Sequence, residues 1–197
     1  MDYSLYVEST PNPEVMKFVS NKILSKRNIE VKSLEEAMQI PIAKELLKFP
    51  FVKSIFFSGN FISITKVDNI LWEDIAMQLR VFILDFLNSK QKEAGILADE
   101  TSQESASSNK EVLKEIKEFH GEEKLINDII NEYIKPAVES DGGSITLNNF
   151  KDGIVEVNLS GACSGCPSSK LTLKQGIEHL LKEKMGDTIK EVVAKDL

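Results

Sequence analysis

Cysteine is scarce in this chain of 197 residues: there are two, Cys163 and Cys166, three positions apart. A disulfide at that spacing would close almost no loop and constrain the unfolded chain very little. The thiols are therefore read as chemistry or metal ligands in a reducing compartment. Histidine is as scarce, with only His120 and His179. There is no basic excess either. The formal net charge of -7 excludes the broad Lys and Arg face of a nucleic-acid binder, so no nucleic-acid partner is expected. No run approaches the ~18 apolar residues that cross a bilayer, so no membrane partner is expected. Met1 to Glu8 shows no basic segment followed by an apolar one, which leads to the expectation of a cytoplasmic protein.

What remains is an ordinary globular composition, 42% hydrophobic and 28% charged, able to bury a core without disulfide staples. The length suits two small domains. Leu97 to Asn109 reads LADETSQESASSN, free of aromatics and rich in Ser, Glu and Gln, which is a linker composition. The chain is accordingly divided into a domain over 1–89, a flexible linker over 90–121 and a second domain over 122–197. Glu111 to Ile116 could add a turn or two of helix inside the linker, before Gly121 stops it.

Both domains read as α+β. In the first, runs at 3–8 and 15–19 alternate as strands, and Ser33-Leu34-Glu35-Glu36 has the form of a capping box before a short helix. Pro41 and Pro50 bracket a helix over Ile42 to Phe49. Val52–Phe57 and Phe61–Lys66, joined by Ser58-Gly59-Asn60, form a hairpin signal. A long helix over Leu71 to Ser89 carries Leu71, Ile75, Leu79, Ile83, Phe86 and Leu87 on one face. The aromatics from Phe51 to Phe61 read as core, Trp72 as a packing anchor and Thr10-Pro11-Asn12-Pro13 as a rigid turn.

The second domain is predicted as α-β-β-α-β. Leu125, Ile126, Ile129, Ile130, Tyr133 and Ile134 form a helical stripe that Pro136 and Asp141-Gly142-Gly143 end. Ile145 and Leu147, then Val155, Val157 and Leu159, alternate as two strands around a turn at 149–153. A helix over Pro167 to Met185 turns Leu173, Ile177, Leu180 and Leu181 inward, and Asp187 to Lys195 is read as a final strand.

Ser160-Gly161-Ala162-Cys163-Ser164-Gly165-Cys166-Pro167-Ser168-Ser169 joins a strand to that helix and holds both thiols. Gly161 and Gly165 permit close backbone approach, and Pro167 suits the first helical position. Cys166 is thereby placed at the positive end of a helix dipole, which favours its thiolate. Four-thiolate iron–sulfur sites need four Cys and one chain supplies two. His179, 13 residues beyond Cys166 on the same helix, would stand ~20 Å away. Two copies of the loop across a two-fold axis would give four thiolates. The spacing alone leaves a redox dithiol and a zinc knuckle open.

Asp141-Gly142-Gly143 followed by Gly161-Ala162-Cys163-Ser164-Gly165-Cys166-Pro167-Ser168-Ser169 resembles the NifU C-terminal (Nfu) domain over nearly all of 122–197. Thr10-Pro11-Asn12-Pro13 with Met16-Lys17-Phe18, and later Phe51-Val52-Lys53-Ser54-Ile55-Phe56-Phe57, resembles the N-terminal domain that accompanies it in Nfu-type proteins. The resemblance implies a carrier or scaffold that is not an enzyme. It implies a [4Fe–4S] cluster, or a [2Fe–2S] one, bridging a homodimer through Cys163 and Cys166. It implies as partners the recipient apoproteins and the upstream assembly proteins. The alternative expectation is a dithiol–disulfide oxidoreductase using the same two thiols.

Overall fold

A computed structural model of the chain describes residues 2–89, 119–164 and 167–196. The expected linker lies outside the described residues from 90 to 118, and the helix considered at 111–116 lies outside them too. The described residues form two α+β domains.

In the first, strands β1 (Leu5–Ser9), β2 (Val15–Ser20), β3 (Ser25–Val31), β4 (Val52–Gly59) and β5 (Phe61–Lys66) pair antiparallel in the order β1-β2-β5-β4-β3. Helices α1 (Pro41–Leu46) and α2 (Trp72–Ser89) cover one face. Phe18, Ile55, Phe57, Ile62 and Ile64 point to that face and meet Ile42 and Leu46 of α1 and Ile75, Leu79, Ile83 and Leu87 of α2. The four-residue spacing of the α2 set is the stripe that a 3.6-residue period turns inward. Leu71 is exposed, one residue ahead of the helix. Ser33 does accept a hydrogen bond from the Glu36 N–H at 3.3 Å, and Glu36 accepts one from the Lys32 N–H at 2.6 Å. The element they open is a 3-10 turn, Glu36–Gln39, rather than an α-helix.

The second domain runs α3 (Glu122–Ile129), a π turn (Ile130–Ile134), α4 (Lys135–Ser140), β6 (Gly143–Lys151), β7 (Ile154–Gly161), α5 (Pro167–Met185) and β8 (Glu191–Asp196). β6 and β7 form an antiparallel hairpin, and β8 joins β7 in parallel. Asp152 and Gly153 turn the hairpin, both with positive φ, 55° and 85°, as a two-residue turn matching strand twist requires. The strands therefore extend into most of the expected 149–153 turn.

Pro136 does not end the first helix. Its ring lacks an N–H and clashes with a regular helical turn. The π turn just before it widens the backbone there, and the helix continues to Ser140. The buried stripe becomes Ile126, Ile130, Ile134 and Val138, with Leu125 and Tyr133 exposed. These four pack on Ile145, Leu147, Val155, Val157 and Leu159 of the sheet, with Ile177 and Leu181 of α5 and Val192 of β8. Among the described residues no helix is long and apolar enough to cross a membrane.

Candidate functional site

β7 ends at Gly161, and the chain then turns through Ala162, Cys163 and Ser164 toward α5. Gly161 takes φ 67°, which a side chain would strain. The turn is tied internally: Ala162 N–H donates to Gly142 O at 3.2 Å, and Ser164 donates to Gly161 O from its N–H at 3.1 Å and from its hydroxyl at 2.9 Å. Asp141 ends α4 with its N–H on Ala137 O at 3.0 Å. The loop after α4 and the loop after β7 thus lie side by side, which explains why Asp141-Gly142-Gly143 and the cysteine loop belong to one motif.

Cys163 is 8% exposed. Its thiol sits at a recess of about 90 Å³ lined by Ala137, Val138, Asp141, Ala162 and Leu173 of its own domain and by Pro11 and Asn12 of the first. Burial, with the Asp141 carboxylate adding repulsion, pushes the thiol up to about 11. Metal binding at Cys163 must therefore displace a proton. Cys166 lies outside the described residues. His120 and His179 are both exposed.

The raised thiol has a consequence for the apoprotein. A group whose folded pKa lies above its unfolded value contributes stability that is complete below the unfolded value and is lost as pH rises toward the folded one. Absorbance titration at 240 nm of a Cys166→Ser chain should show the Cys163 thiolate appearing with a midpoint near 11. Thermal stability of the same chain should fall over the interval from the ordinary thiol range to that midpoint. A midpoint at the ordinary thiol value would contradict the buried placement.

The first domain supplies contacts that the sequence reading did not assign. The second face of its sheet carries Lys17, Val19, Phe56, Phe61 and Ser63, alternating with the residues of its core. Asn12 Nδ2 donates to Ala162 O at 3.1 Å, Ser63 Oγ to Gly142 O at 2.6 Å and Lys17 Nζ to Ser140 O at 3.1 Å. Asn28 Nδ2 donates to Ser144 Oγ at 2.5 Å, and Ser164 Oγ, whose proton goes to Gly161 O, stands 3.4 Å from Glu30 Oε1. Phe56 stands so close to Gly161 that a Cβ there would come within 2.6 Å of its ring. Trp72 Nε1 donates to Pro13 O at 3.0 Å, which anchors the Thr10 to Pro13 turn to α2. The signal available in sequence was that turn itself, whose polar residues have no periodicity to reveal a partner.

Residues 126–193 match the family model of the NifU-like domain, and residues 5–90 match the model described as scaffold protein Nfu/NifU N terminal. The class is a NifU-like module carried behind an Nfu N-terminal domain, and the chain belongs to this Nfu family. A human protein named NFU1 iron-sulfur cluster scaffold homolog, mitochondrial, is 34% identical over 182 residues, covering 90% of this chain and 66% of that protein. NifU-like protein 4, mitochondrial, of Arabidopsis thaliana is 32% identical over 180 residues, covering 90% of this chain and 61% of its own length. The chain thus spans somewhat less than two thirds of these relatives. The solution structure of a NifU-like protein from Saccharomyces cerevisiae aligns with 49% of this chain and 86% of its own, at 24% identity and a TM-score of 0.41.

The expected cytoplasmic location is corrected by these relatives, which are named as mitochondrial proteins. Organelle targeting resides in leader segments that are removed from the mature fold, so the residues of the folded domains do not report it.

Proposed function

We propose that this protein is an iron–sulfur cluster carrier in which Cys163 and Cys166 of two chains hold one cluster as cargo, for transfer to recipient apoproteins. The cluster is of the [4Fe–4S] type, received from upstream assembly proteins. Kinship with proteins named as cluster scaffolds supports the carrier role, and a mitochondrial location fits the same relatives. The observation that carries the ligand assignment is the position of Cys163. It lies in the strand-to-helix turn that the Asp141–Gly143 loop braces, with its thiol lining a recess.

Thiolate is the ligand such clusters require, and two per chain leave the site to be completed by a second chain. Residues 1–89, 90–121 and 122–197 then serve as accessory domain, connector and cluster-holding domain. The oxidoreductase alternative needs an accessible thiol of depressed pKa. Burial makes Cys163 unfit as that nucleophile.

Anaerobic reconstitution with ferrous iron and sulfide separates the two readings. A carrier becomes brown, with visible absorption lost on chelation or exposure to oxygen. A colourless chain that reduces the disulfides of insulin would overturn the proposal.

A further inference from the structure

The second face of the first domain's sheet is covered, and what covers it is the cysteine loop of the second domain. Phe56, Val19 and Phe61 form a small apolar cluster on that face, all buried. Phe56 meets Gly161, the residue two before Cys163. Around this apolar centre, Asn12, Lys17 and Ser63 each donate to a backbone carbonyl of the two site loops: Ala162 O, Ser140 O and Gly142 O. The Lys17 ammonium also lies 4.7 Å from the Phe61 ring centroid and 3.3 Å from a Glu8 carboxylate oxygen. Lys17 is 8% exposed and Ser63 2%, so both are desolvated in this contact. A buried lysine and hydroxyl without acceptors would be costly. The face is thus chemically matched to these loops: apolar where they present glycine, donor where they present carbonyls.

The same contact brings Pro11 and Asn12 into the lining of the recess that Cys163 also lines, and Cys163 is left 8% exposed. A sulfur this buried offers little surface to a second chain's loop while the first domain stays in place. From this geometry, and resting on the reading of Cys163 as a ligand, we infer that the first domain is an interaction surface for the bare cluster loop of its own chain and must leave it before two chains share a cluster. The first domain and the second copy are alternative occupants of one surface. Loading then exposes the Lys17, Phe56 and Ser63 face, and release of the cluster restores the closed arrangement.

Thiol labelling tests the contact without any cluster. In a Cys166→Ser chain only Cys163 reacts. Phe56→Glu places a charge against Gly161 and should speed labelling by about tenfold. Ser63→Ala removes the hydrogen bond to Gly142 O and should speed it by a few-fold. Far-UV circular dichroism checks that each variant is folded. Equal rates in the folded variants and their parent would overturn the inference. Should Phe56→Glu fail to fold, Ser63→Ala carries the comparison with the same two outcomes, since its hydroxyl lies outside both domain cores.

On the unsubstituted chain, Lys17 should be protected from an amine-labelling reagent as apoprotein and become reactive on reconstitution with iron and sulfide. A Lys17 that stays protected in a cluster-loaded chain contradicts the inference. A chain that takes up no iron defeats the carrier reading instead, and the apoprotein labelling then decides the contact by itself.

Discussion

Replacing either cysteine with serine, Cys163→Ser or Cys166→Ser, should abolish cluster binding, with iron per chain falling to background after reconstitution while the fold persists. A hydroxyl is a far poorer ligand than thiolate for the iron of these clusters. Loss of one ligand per chain removes two of the four in a shared site, so no partial occupancy is expected. The Cys163 substitution does place a hydroxyl at the edge of the second domain's core, which costs ~1–3 kcal/mol where its bonding is incomplete. Circular dichroism and a thermal melt should therefore show a folded chain of somewhat lower stability. Wild-type iron content in either variant would remove that residue from the ligand set.

Gly143→Ala should impair the site from the other loop, without touching a ligand. A Cβ at position 143 would stand 2.6 Å from Cys163 Sγ and 2.8 Å from Ser160 O. Both are closer than packed atoms tolerate, and Ser160 O is backbone within the β6–β7 hairpin, where Gly143 pairs with Gly161. Something must move, and overpacking of this kind costs ~1–3 kcal/mol. Cys163 is the more mobile neighbour, so its sulfur should be driven off the position from which it would ligate. Melting temperature and iron content should fall together. A Gly143→Ala chain with unchanged iron would mean that this position of Cys163 is not the one used to hold a cluster. Gly176→Ala is the matching control, because a Cβ there meets nothing within 4 Å.

Strong periodicity was legible in the sequence. The alternation of Ile145, Leu147, Val155, Val157 and Leu159 foretold β6 and β7, and the four-residue spacing from Ile75 to Leu87 foretold α2. Strand β3 was missed because Ser25 to Val31 is a polar run at the edge of the sheet. Edge strands need little apolar alternation and often carry charge. Pro136 misled because a proline usually stops a helix, whereas a π turn absorbs it here.

The cysteine loop stood out by its glycines and its two thiols. The first domain's part in the site did not. Phe56 read as core like its neighbour Phe57, and only the strand register shows that the two point to opposite faces, one to the helices and the other to Gly161. Asn12, Lys17 and Ser63 reach carbonyls more than seventy residues away in sequence, and no local pattern encodes such partners.

Native mass spectrometry of the anaerobically reconstituted chain measures chains and cluster in one particle, which is the central claim. Two thiolates per chain predict a particle of two chains with a single cluster, dissociating to apo monomers when a chelator removes the iron. A single chain carrying one complete cluster would contradict the shared site.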